Sequence, residues 1–101
     1  MSVQWRQGDV FFERVDQIPV QAVARTDRVL FAGERTGHAH VVAPDAPVEV
    51  LELEGALFLR AAGAFSVTHE EHGPIGFEPG TYRVWRQREY SPGQLWRSVQ
   101  D

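Results

Sequence analysis

The amino-acid sequence predicts a small, mostly β fold, a single-domain β-barrel or β-sandwich over residues 1–101, and three observations carry that expectation. Short apolar segments follow one another at close spacing, Gly and Pro punctuate them, and no longer stretch keeps the apolar period of an amphipathic helix. The chain, at 101 residues and without cysteine, is also too short to build two self-sufficient cores.

Residues 9–15 form the first expected strand, with bulk from Val10, Phe11 and Phe12, closing near Ile18-Pro19, where proline keeps the preceding residue extended. Residues 20–25 form the second. Residues 28–44 read as a hairpin around 34–37, because Gly37 can take the positive φ of such a loop, and His38 and His40 open its second strand. Pro44, Asp45 and Pro47 then break the chain. Residues 48–53 and 56–60 are strands joined by a turn at Glu54-Gly55, and another turn falls at 61–63. Residues 64–69 alternate, with Phe65, Val67 and His69 on one face and Ser66 and Thr68 on the other. A loop, EEHGPIGFEPG, leads to Pro79-Gly80, which launches the last major strand, TYRVWRQREY. Ser91-Pro92-Gly93-Gln94 has the form of a capping box with proline at the first helical position and predicts a short C-terminal helical turn.

Hydrophobic residues at 43% and charged residues at 24% are ordinary for a globular protein, which sets aside disordered and fibrous classes. No apolar run approaches the roughly 18 residues of a membrane span, and the first residues lack a signal-peptide pattern, so a cytoplasmic protein without membrane contact is expected. A net charge of −4 disfavours broad electrostatic attraction to nucleic acid. All ten basic residues are arginine, so every one keeps its charge and offers forked donors. Without cysteine there is no thiolate nucleophile, and any metal must be held by nitrogen and oxygen. No serine sits in an elbow-like glycine context either.

Function is expected at the histidines. All four fall in two short motifs, HAH at 38–40 and HEEH at 69–72. On a strand the two-residue period turns His38 and His40 to one face, as two ligands of one ion require. His69 and His72 lie where a strand becomes a loop, so the backbone can curl both rings toward one point. His38, His40, His69 and His72 are thus the expected metal ligands, with Glu70, Glu71, Glu34 or Asp45 as further oxygen donors. Such a set suits Zn, Fe, Mn, Ni or Cu without choosing among them. In an enzyme, a metal-activated water with Glu70 or Glu71 as base would fit hydrolysis of a small-molecule substrate. HEEH is one residue short of the helical metalloprotease motif, whose histidines must share a helix face. Asp9 and Glu34, each following a glycine, are read as turn formers or as groups that orient histidines.

The HAH pair on a strand, followed about thirty residues later by a further histidine, resembles the cupin metal site, a small β-barrel holding its ion by three histidines and a glutamate. That resemblance carries over to His38, His40 and one of His69 or His72, with Asp45 standing where the cupin glutamate would be. RQGDV at 6–10, GERTGHAH at 33–40, THEEHGPI at 68–75 and PGTYRVWRQREYSP at 79–92 resemble a family of small bacterial and phage proteins. This second resemblance covers most of the chain, groups the motifs and implies no particular chemistry.

A non-catalytic interaction module is the alternative. Arg6, Arg83, Arg86, Arg88 and Arg97, with Trp5, Tyr82, Trp85, Tyr90 and Trp96, could form a strip that binds nucleic acid or protein. Against it, so small a core needs its aromatics inside, and the arginines have fourteen carboxylates to pair with. An exposed edge strand would offer a homodimer interface.

Overall fold

The structure, a computed structural model, describes residues 3–33, 37–86, 88–91 and 94–98, the last two segments by their backbone. All regular structure among the described residues is β: β1 (Gln4–Gln7), β2 (Val10–Arg14), β3 (Val23–Arg25), β4 (Val29–Ala32), β5 (Ala39–Val42), β6 (Val48–Leu53), β7 (Ala56–Ala61), β8 (Phe65–Thr68), β9 (Ile75–Phe77), β10 (Gly80–Arg86), β11 (Arg88–Ser91) and β12 (Gln94–Ser98). No helix among them is long and apolar enough to cross a membrane.

Two antiparallel sheets face each other. One has six strands in the order β1-β2-β10-β7-β6-β3, the other four in the order β4-β5-β8-β9, and β11 with β12 makes a separate ribbon. No sheet closes on itself among the described residues, so of the two expected architectures the molecule has the sandwich. The alternation of each strand explains why. Val10, Phe12, Val48, Val50, Leu57, Leu59, Tyr82 and Val84 from the larger sheet form one buried cluster with Leu30, Val42, Phe65, Val67 and Phe77 from the smaller. Phe77 stacks on Phe65 at 4.9 Å and meets the edges of Trp5 and Tyr82, so aromatic rings fill the seam between the sheets.

Several elements differ from expectation. Residues 94–98 form a strand paired with β11, where a helical turn was expected; the proline and glycine of that motif lie outside the described residues. The expected last strand is divided into β10 and β11. β1 and β9 were not anticipated. β1 is mostly polar, and it pairs residue for residue with β2 across Gly8, whose φ of 61° fits the first central position of a type II′ turn. The 54–55 turn is as expected: Glu54 and Gly55 have φ of 49° and 85° and join Leu53 to its partner Ala56.

Candidate metal centre

Strand register brings the two histidine motifs together. β5 and β8 pair with Val41 opposite Thr68 and Val42 opposite Val67. Carrying that ladder one residue further sets His40 opposite His69, and their ring centroids are 4.4 Å apart. Each continues a core-facing row, His40 two residues before Val42 and His69 two after Val67, so His40 is fully buried and His69 only 8% exposed. His38 lies 5.7 Å and His72 4.7 Å from His69, centroid to centroid. His69 is therefore the hub of all four rings.

The rings differ in their hydrogen bonds. His69 Nδ1 accepts the backbone N–H of Glu71 at 3.1 Å and of His72 at 3.3 Å, which curls the loop as the spacing suggested. His38 Nδ1 is 2.7 Å from Glu71 Oε1. His40 Nδ1 is 2.8 Å from Gln7 Oε1, and its Nε2 is 3.6 Å from Asp9 Oδ1. Asp9 in turn faces Arg86, Nε to Oδ2 at 3.2 Å, and Arg86 also donates to the Ala32 carbonyl. His72 Nε2 is buried and takes no hydrogen bond among the described residues. Glu70 Oε2 accepts the Ala39 N–H at 2.9 Å; that bond, and its own backbone N–H, hold the Glu70 carboxyl below the usual range, with the nearby His38 and His69 charges adding to this and partial desolvation opposing it.

Among the described residues His38, His69 and Glu70 each present one potential ligand atom, all within 4.8 Å of one another. His40 and His72 border this group. Asp45 sits in the exposed turn after β5, and Glu34 lies outside the described residues. Sequence reasoning named Asp9 as an orienting group but missed Gln7 and the specific tie of Arg86 to Asp9. The signal for both was the tight turn of RQGDV, which sets Gln7 and Asp9 on either side of Gly8.

A model of the family described as Domain of unknown function (DUF8820) matches residues 6–87, most of the chain and all four histidines. The chain belongs to that family. No curated protein and no solved structure matches it. The family's span runs from within β1 through β10, and so takes in every residue of the histidine cluster and its supports.

The arginine and aromatic residues are dispersed. Tyr82 is fully buried and Trp5 packs on the core, while Phe11 and Trp85 stack at 5.6 Å on the outer face of the larger sheet with Arg6 over Phe11 and Arg83 over Trp85. The side chains of Arg88, Tyr90, Trp96 and Arg97 lie outside the described residues. A groove of about 680 Å³ elsewhere is lined by Arg25, Arg28, Arg60 and Glu49; Glu49 pairs with Arg60, and Asp27 and Glu52 with Arg25, so most of its charge is balanced.

Proposed function

We propose that the domain binds a divalent transition metal ion through His38, His69 and Glu70, with His72 as the next available nitrogen. The observation that carries this reading is the convergence of two imidazoles and a carboxylate, from two separate segments, within 4.8 Å. An oxygen and nitrogen donor set suits Zn, Fe, Mn, Ni or Cu. Glu71 beside His38 Nδ1 and Gln7 beside His40 Nδ1 are the kind of partners that fix imidazole orientation around metals. The likeness to the cupin metal site would put the HAH pair and one histidine of HEEH in one site, in keeping with this reading, while the likeness to the motif-sharing bacterial and phage proteins groups the motifs without implying a chemistry. A three-ligand ion keeps positions for water, and with Glu71 as proton acceptor it would support hydrolysis of a small substrate. A soluble cytoplasmic protein is the setting this reading assumes.

Metal analysis and calorimetric titration of untagged protein test it. The expected result is one equivalent of zinc, nickel or copper bound by the wild type and none by the double variant His38→Ala, His69→Ala. Absence of stoichiometric metal, with a melting temperature unmoved by chelator, overturns it.

A second reading rests on the Phe11–Trp85 stack flanked by Arg6 and Arg83, which would suit a flat π-faced partner such as single-stranded nucleic acid. Salt-dependent binding of an oligonucleotide, lost in Arg83→Ala, Trp85→Ala, would favour it.

A further inference from the structure

The RQGDV motif takes no direct part in the proposed ligand set, yet its turn reaches the centre of the cluster. Gln7 belongs to the six-stranded sheet and is only 2% exposed. Its Nε2 donates to the carbonyl of Val67 in β8 of the other sheet at 3.1 Å and to that of Gly73 in the β8–β9 loop at 2.9 Å. Those carbonyls flank the HEEH segment on either side, so one side-chain amide pins both ends of that loop. With both amide hydrogens committed, Oε1 can act only as an acceptor. His40 Nδ1, 2.8 Å away, must therefore be the donor. This places a proton on Nδ1 of His40, while Nε2 faces the carboxylate of Asp9, itself braced by Arg86.

We infer that Gln7 is the positioning residue of the histidine site: through one amide it locks the Nδ1–H form of His40 and holds the HEEH loop against the HAH strand. His40 in turn supports His69, whose ring lies 4.4 Å away, centroid to centroid. The structural part stands on hydrogen-bond geometry; only the effect on affinity rests on the metal reading above.

The first test needs no variant. In metal-free wild-type protein labelled with nitrogen-15, long-range proton–nitrogen spectra of the imidazoles are expected to show His40 protonated at Nδ1; a His40 whose Nδ1 is unprotonated overturns the inference. The second compares Gln7→Met, close in volume but unable to hydrogen-bond, with Gln4→Met on the exposed side of the same strand. Gln7→Met is expected to lose the Nδ1–H signature of His40, to shift the ring signals of His69 and His72, and to weaken zinc binding about 10- to 100-fold. Gln4→Met is expected to change none of these. A Gln7→Met protein with unaltered imidazole signals and zinc affinity within about twofold of wild type would overturn the inference. If wild type takes up no zinc, the metal reading fails, and the imidazole signals alone decide the role of Gln7. If Gln7→Met does not fold, the wild-type tautomer decides.

Discussion

Tyr82 shows how much a single residue's surroundings determine here. The chain has neither lysine nor cysteine, so its alkaline titration falls to two tyrosines and the α-amino group. Tyr82 is fully buried and its hydroxyl donates to the Glu78 carbonyl at 2.5 Å. Burial pushes its phenol above the ordinary value; the Arg14 guanidinium over its ring opposes that, the Glu78 charge adds to it, and the bond to the Glu78 backbone lowers it again. The neutral form is thus favoured in the fold. The resulting stability is whole below about pH 10 and is lost as pH rises through the higher folded value. Tyr82→Phe should cost about 1 kcal/mol at neutral pH and should flatten the alkaline loss, as read by denaturant unfolding across pH. Equal alkaline slopes in both proteins would contradict this. Burial of Tyr82 was legible in part, because so short a chain needs aromatics in its core. The role of Gln7 was not legible, since a glutamine is equally at home in solvent and only the cross-sheet fold places carbonyls around it.

At the level of elements, turns and alternation were readable and pairings were not. Residues 65–69 advertise their inward face, and Glu54-Gly55 advertises a two-residue loop. Nothing local, however, says that His40 stands opposite His69, because register depends on which strands pair. β9 escaped notice for a related reason: three residues with a glycine at their centre, just after Pro74, become a strand only by adding to β8. In the 54–55 turn both central residues have positive φ, which suits asparagine better than glutamate at the first position. Glu54→Asn should stabilise by roughly 0.5 kcal/mol, seen as a higher urea midpoint with unchanged slope. The HEEH loop carries its own prediction. In the neutral ring, the backbone donors on His69 Nδ1 leave the proton on Nε2, so ligation through Nε2 requires that Nδ1 exchange its role as acceptor for that of donor. Metal titration should therefore move the Glu71 and His72 amide signals ahead of those in β6 and β7. Amides of the loop that stay fixed while metal binds would point to ligation elsewhere.

For the whole molecule, the cluster matters because it is built from both layers: histidines from the smaller sheet, Gln7 and Asp9 from the turn at the edge of the larger one. An ion held there stabilises the entire sandwich. At a free concentration about 100 times Kd the gain is about 2.7 kcal/mol, which for a domain of this size raises Tm by roughly 10 to 20 °C. Thermal melts with zinc and with chelator check this, and coincident curves under saturating zinc would count against a site that ties the sheets together. A small barrel or sandwich could be anticipated from strand spacing; which of the two, and the strand order, could not. β2 lies between β1 and β10, strands from opposite ends of the fold. On a ribosome the N-terminal hairpin emerges first and then waits seconds for residues 80–86, with Val10 and Phe12 bare in the meantime. Gln7 and Asp9 meet His40 only where the two sheets pack, so on the reading proposed above an ion would be captured by the assembled sandwich and not by its separate hairpins.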